Sequence, residues 1–283
     1  MITKKAYAKI NLSIDVIGKR HDGYHNLKMI MQSVSLYDTI TIEWSNSLKI
    51  ATDLSYLPVN ENNIAYKAAR LFLDEIKTDI NVFIDIKKNI PVGGGLGGGS
   101  ADAATVLAAL NELFGYPLGS ARLLELGLLC GADVPFCMTG GTCLAEGIGE
   151  ILTPLPPLPP CSILLVKPSF SISTKRIFQK INMKKIIKRP DTAGLIGALE
   201  KSDIKETAVR MYNVLEDVVS DRKIELYKQK LLSSGAMGSI MTGSGSVVFG
   251  VFRTEPEALM AQFNFKELPV STFIVKPVSN FCE

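Results

Sequence analysis

The stretch PVGGGLGGGS at 91–100 places six glycines in ten positions. Backbone that bare serves either as a flexible linker or as a cradle for an anion. The flanks decide. INVFIDIKKNI before it reads as a strand. SADAATVLAALNELF after it reads as a helix, with Ala103, Ala104, Leu107, Ala108, Leu110 and Leu113 at helical spacing. Glycines between a strand and a helix bring main-chain N–H groups close to an anion, and the helix N-terminus adds unpaired donors and a positive dipole end. Phosphate binding is expected here. Ser100 is placed either to cap the helix or to touch a magnesium ion held by the phosphate.

The kind of phosphate motif is narrowed by what is missing. A P-loop needs a lysine after its glycines, and none follows here. Gly93, Gly95 and Gly98 fit G-x-G-x-x-G, but a glycine run makes that match nearly automatic. A dinucleotide site also wants a second strand ending in an acid. The helix instead runs into GYPLGSARLLELGLLCGADVPF, where no strand is expected.

The 283 residues allow one large or two smaller domains. A net charge of +3 excludes the broad basic footprint of a general nucleic-acid binder. No apolar run reaches membrane length, and MITKKAYAKINLSIDVIG lacks the apolar core of a signal peptide. Cys130, Cys137, Cys143, Cys161 and Cys282 form no C-x-x-C pair, so reduced thiols in a cytoplasm are expected. With only His21 and His25, neither a zinc site nor a Ser-His-Asp mechanism is expected.

PLPPLPP at 154–160 cannot continue a helix or a central strand. It reads as a boundary between domains 1–156 and 157–283, or as a stiff loop within one domain. Before it, strands are expected over 3–17, 34–43 and 81–87, with a helix in NNIAYKAARLFLDEI presenting Ile64, Ala68, Leu71 and Phe72. After it come a strand at 162–167 and helices around 192–200, 203–218 and 221–234. GSIMTGSGSVVFGVF reads as strand, glycine turn, strand; EPEALMAQF is a short helix and STFIVKPV a last strand. The mixture predicts a two-lobed α+β protein.

PVGGGLGGGSADAA resembles the phosphate loop of the GHMP kinases. Three further segments resemble one branch of that family: AKINLSIDVIGKRHDGYHNLKMIMQSV at 8–34, GADVPFCMTGGTCLAEGIGE at 131–150, and NVLE at 213 with GAMGSIMTGSGSVVFGVF at 235. The resemblance covers nearly the whole chain in order. It implies an N-terminal lobe like the second domain of ribosomal protein S5 and a ferredoxin-like C-terminal lobe. It also implies transfer of the γ-phosphoryl of ATP, with Mg2+, to the C2 hydroxyl of a cytidine-diphosphate-linked methylerythritol in non-mevalonate isoprenoid synthesis.

Roles follow residue by residue. An alcohol is a poor nucleophile while protonated, so a carboxylate within reach is needed, and Asp133 is the candidate base. Val134-Pro135 is expected to hold it in extended backbone; a turn or cap aspartate is the alternative. Lys9 shares a strand face with Asn11, and beside Asp133 it would favour the charged carboxylate and steady the transferring charge. An exposed strand lysine is its alternative. Asn11 is read as a substrate contact or a solvent-facing residue. The resemblance implies that Tyr24 stacks on the cytosine, that His25 hydrogen-bonds it, and that Phe178, with Thr174 close by, covers the other ring face. Periodicity alone would make Phe178 a core residue. Lys175 stands where some members carry proline.

The resemblance also places Asn62, Lys88 and the run Pro91, Val92, Gly93, Gly94, Gly95, Leu96, Gly97, Gly98, Gly99, Ser100 and Ala101 at the ATP site. Asn62 reads equally as a helix cap, and Lys88 as a solvated strand end. The serine pair common in the family is Ser100-Ala101 here, so a metal role rests on Ser100 alone. Gly243, Ser244 and Gly245 form a second glycine turn, facing the cleft or simply closing a hairpin. KKIIKR at 184–189 reads as solvated surface. Partners are a small-molecule substrate, with no nucleic acid and no membrane, in a monomer or weak homodimer. The alternatives are a homoserine- or mevalonate-type kinase, in which the GYH segment would have no base to stack on, or a nucleotide sensor, which would need no Asp133.

Overall fold

The computed structural model describes residues 1–279, so Cys282 lies outside the described residues. The chain opens with β1 (Ile2–Lys19), turns through 20–24 and returns as β2 (His25–Ser45). The two pair antiparallel from Ile2↔Ile42 to Lys19↔His25. β2 thus starts at His25 and not at 34. Its first part, broken by Asn26, Lys28 and Gln32, is held as strand by pairing on both edges, with β1 and with the later segment 142–147.

β3 (Lys49–Thr52) is followed by α1 (Ile64–Glu75) and by β4 (Asn81–Lys87), which pairs with both β3 and β2. The glycines lead into α2 (Gly98–Leu113). Its small buried residues, Ala101, Ala103, Ala104 and Ala109, let it lie close against β1 and α1. α3 (Ser120–Cys130) and the short α4 (Val134–Thr139) pack beside it. β5 (Thr142–Gly147) and β6 (Ile151–Pro154) complete the first sheet, in which β3-β4-β2-β1 run in order and β5 also borders β2.

Beyond the prolines come β7 (Ser162–Pro168), α5 (Thr174–Lys180), α6 (Thr192–Glu200), α7 (Ile204–Arg210), β8 (Tyr212–Asn213), α8 (Leu215–Val219), α9 (Arg222–Ser233), β9 (Gly238–Met241), β10 (Val248–Phe252), α10 (Glu255–Phe263) and β11 (Val270–Val275). The second sheet has the order β11-β7-β10-β9, antiparallel throughout. Its strands alternate with helices as β-α-β-β-α-β, the ferredoxin-like arrangement. α10 starts where the sequence places it: Thr254 accepts from Glu257 N while Glu257 reaches back to the Thr254 N–H.

The helix expected over 203–218 is broken. α7 ends at Arg210, and Tyr212 and Asn213 pair in parallel with Ser13 and Ile14 of β1. Asn213 is the cause. Its Nδ2 donates to Met241 O at 2.8 Å and Gly243 O at 2.9 Å, and its Oδ1 accepts from Leu215 N at 2.9 Å. A side chain that hydrogen-bonds backbone in this way competes with helix continuation. The lobes are joined again at the end of the chain, where Ser35 N donates to Lys276 O and Val278 N to Ser33 O, each at 2.9 Å.

Candidate active site

The glycine loop adopts the backbone that its composition permits. Gly95 and Gly97 have φ of +82° and +71°, and a Cβ at Gly95 would stand 2.5 Å from Thr242 O. The loop is thus pressed against the second glycine turn, with Val247 N donating to Gly94 O at 3.1 Å. A Cβ at Gly97 would meet Lys9 Cγ at 2.9 Å, so the missing side chain is what makes room for Lys9. Gly97 is also the N-cap of α2 and gives it no side-chain bond. Ser100 is therefore not the cap. It sits in the first turn, where the N–H groups of Gly98, Gly99 and Ser100 lie outside the intrahelical ladder and are available to an anion.

Two cavities meet at this loop. One, of about 940 Å³, lies between the lobes and is lined by Lys9, Asn11, Ser100 and Asp133 on one side and by Thr174, Phe178 and Ser244 on the other. The second, of about 200 Å³, lies behind the loop and is lined by Leu57, Pro58, Asn62, Lys88 and the run 91–99. Gly95 and Gly97 line both. Ala101, expected among the nucleotide contacts, lines neither: it is buried, and its N–H donates to Gly97 O at 2.8 Å.

Lys9 is not an exposed strand lysine. It is 4% exposed on β1, its backbone N donates to Leu96 O at 2.9 Å, and its Nζ lies 3.3 Å from Asp133 Oδ2. The same Nζ donates to Asn11 Oδ1 at 2.9 Å. That oxygen also accepts from Gly243 N at 3.1 Å and Thr242 Oγ1 at 3.3 Å. The Asn11 carbonyl is thus committed to the protein, and its amide donates to Met29 Sδ at 3.7 Å. Asp133 sits immediately before α4 with φ −83° and ψ −10°, helical and not extended as the Val-Pro pair predicts. Pro135 falls in the first turn of α4, where a missing N–H costs no helical bond. The carboxylate, a third exposed, faces the cleft.

At the far end of the cleft, the His25 and Phe178 rings lie 5.6 Å apart at 38°. Burial, with Lys19 nearby, lowers the His25 pKa below the ordinary histidine value. Tyr24 is exposed at the rim. Thr174 Oγ1 and Ser244 Oγ share a hydrogen bond at 2.7 Å, so the second glycine turn is tied to the start of α5 and faces the cleft as well as closing a hairpin. Lys175 also lines this wall.

Behind the loop, the cap of α1 is Asn63, which accepts from Ala65 N, so Asn62 is left at the small cavity. Lys88 is no solvated strand end. Its Nζ is buried between Asp38 and Asp102, 2.6 Å from the latter. Burial pulls the Lys88 ammonium down, and the two carboxylates more than reverse it. Burial pushes Asp102 up to about 8, against the pull of Lys88 and with Asp38 adding to the rise. In the basic run, Arg189 is likewise engaged, donating to Asp15 Oδ1 at 2.6 Å.

Sequence reasoning missed Asp38, Asp102 and Thr242. Asp38 had a signal, a lone acid inside the apolar run SLYDTITI that is fully buried in the structure. Thr242 lies within the quoted MTGSGS turn, but only the contact across the lobes reveals it. Among the described residues no cluster of three or more His, Cys, Asp or Glu could hold a metal ion, and Cys130, Cys137, Cys143 and Cys161 are free thiols.

Residues 63–141 match the family model "GHMP kinases N terminal domain", and residues 195–267 match "GHMP kinases C terminal". The 4-diphosphocytidyl-2-C-methyl-D-erythritol kinase of Lachnoclostridium phytofermentans is 45% identical over 282 residues, covering 98% of this chain and 97% of that one. A crystal structure of 4-(cytidine 5'-diphospho)-2C-methyl-D-erythritol kinase matches with a TM-score of 0.84 at 29% identity, over 99% of this chain and 100% of that one. The homoserine kinase from Cytophaga hutchinsonii matches with a TM-score of 0.78 at 19% identity, over 98% and 95% of the two chains, a likeness of fold alone.

Proposed function

The chain belongs to the GHMP kinases, and we propose that it transfers the γ-phosphoryl of ATP to the C2 hydroxyl of 4-diphosphocytidyl-2-C-methyl-D-erythritol, in non-mevalonate isoprenoid synthesis. It is an ATP-dependent phosphotransferase with an alcohol acceptor. One observation carries the finer reading: Asp133 and Lys9 face a cleft that has the glycine loop at one end and the His25–Phe178 rings at the other.

The adenosine occupies the small cavity beside Asn62 and Pro91, and the phosphates follow the loop into the large cleft along Gly95 and Gly97. The cytosine lies against Phe178, with His25 and Tyr24 around it, and Thr174 and Asn11 border the methylerythritol. Asp133 takes the proton of the C2 hydroxyl as its oxygen bonds to the γ-phosphorus and the bond to ADP breaks. Lys9 places a fixed positive charge beside the oxygens on which charge gathers.

Magnesium suits the donor set: Ser100 offers one hard oxygen at the helix start, and this ion keeps waters and phosphate oxygens as its other ligands. When bound it neutralises charge on the phosphates. The lobe boundary is placed at 156/157, within the prolines that separate β6 from β7. The reading includes a cytoplasmic monomer or weak homodimer, and it includes no nucleic-acid partner, the last supported by the slight net charge of +3. No helix among the described residues is long and apolar enough to cross a membrane.

The test is ADP release with ATP, magnesium and 4-diphosphocytidyl-2-C-methyl-D-erythritol, beside homoserine and mevalonate. Turnover with the cytidylyl acceptor alone is expected. Turnover with a control alone moves the acceptor pocket, and ATP binding without turnover on any acceptor returns the chain to the sensor reading.

A further inference from the structure

Asp38 lies in the middle of β2, fully buried, and lines neither cavity. Its Oδ1 accepts from Asn89 N at 2.5 Å and Ile90 N at 2.8 Å, the two residues that lead into Pro91 and the glycines. Its Oδ2 accepts from Lys88 Nζ, which also donates to Asp102 in the second turn of α2. A Cβ built on Gly98, the first residue of α2, would lie 3.5 Å from that Nζ. One carboxylate in the sheet therefore fixes the entry of the glycine loop directly and its exit through Lys88.

Stability alone does not explain this cluster. Ion pairs this deeply buried are weak stabilisers, and apolar residues of similar volume often serve as well. The cluster also leaves Asp102 Oδ1 buried without a hydrogen-bond partner, on a residue that lines the small cavity. An arrangement this costly is retained where geometry matters more than stability. A loop that binds phosphate through main-chain N–H groups needs such geometry. Every degree of freedom left in it before binding is lost on binding.

We propose that Asp38 is a positioning residue for the nucleotide: acting through the Asn89 and Ile90 N–H groups and through the Lys88–Asp102 bridge, it holds both ends of the glycine loop in their phosphate-binding register. The proposal rests on the reading of that loop as the ATP site. It separates Asp38 from residues that touch ATP and from residues that only hold the core together. Losing it weakens ATP specifically and leaves the acceptor pocket, whose lining does not include Asp38, as it was.

The experiment is calorimetric titration of Asp38→Asn with ATP and magnesium without acceptor, followed by steady-state kinetics. ATP affinity is expected to fall about tenfold, and the KM for ATP to rise by the same factor, with the acceptor KM unchanged. Asp102→Asn is the second variant, for use where Asp38→Asn does not fold. It is expected to weaken ATP in the same direction, again with the acceptor KM unchanged. Unchanged ATP affinity in a folded variant, or equal loss for both substrates, overturns the proposal. If the wild-type protein itself fails to bind ATP, this proposal and the kinase reading both fall.

Discussion

The Lys9 ammonium lies 3.3 Å from the Asp133 carboxylate, the lysine almost wholly buried and the aspartate a third exposed. The asymmetry assigns the two their work. Lys9 is held by Asn11 and by the Leu96 carbonyl and cannot follow a substrate, whereas Asp133 presents an oxygen to the cleft.

Asp133→Ala is expected to remove the base and leave the glycine loop untouched. The turnover rate falls by about 10²–10⁴, and ATP affinity measured by calorimetry stays at the wild-type value. Near-normal turnover in this variant would sink the mechanism. Lys9→Met leaves Asp133 in place, so its loss is expected in kcat more than in either KM.

Gly95→Ala tests the contact between the two glycine turns. The φ of +82° costs an alanine about 1–2 kcal/mol, and its Cβ would enter the Thr242 carbonyl, which is backbone and cannot swing aside. Thermal unfolding is expected several degrees below wild type, with ATP affinity lost. Gly18→Ala, which meets nothing within 4 Å and has no positive φ, is the matched control and is expected to be neutral.

The order of strands and helices was legible because the glycine and proline runs punctuate it. So was the meeting of Lys9 with Asp133, but only through resemblance, since the two lie 124 positions apart in the chain and periodicity carries no distance. The break in the 203–218 helix was hidden. Asn213 competes with helix only because Met241 and Gly243, from another element, supply its partners. The resemblance put Lys88 at the ATP site, but its burial was hidden for the same reason, leaving a solvated strand end as the alternative: the two acids that bury it come from β2 and α2.

Phe178→Ala removes the ring facing His25. Stacking of a base on an aromatic ring is worth roughly 1–3 kcal/mol, so the acceptor KM is expected to rise about tenfold or more while the KM for ATP holds. Equal changes in both would return Phe178 to a packing role.

His25 gives the site a pH dependence with a definite sign. Its pKa lies below the ordinary 6.5, because burial and then Lys19 disfavour the charged ring. Between the lowered value and 6.5 the unfolded chain binds a proton that the folded chain does not, so stability falls as pH drops through that window. The same proton would convert a ring that both donates and accepts into one that only donates, at the position read as the cytosine contact. The acceptor KM is expected to be flat from about pH 7 to 8 and to rise on acidification below the ordinary histidine value. The KM for ATP, measured alongside, supplies the internal control. His25→Gln keeps hydrogen-bonding capacity without titrating, so it is expected to flatten the acceptor profile and the urea-midpoint profile together. A slope that survives in His25→Gln would assign the titration to another group.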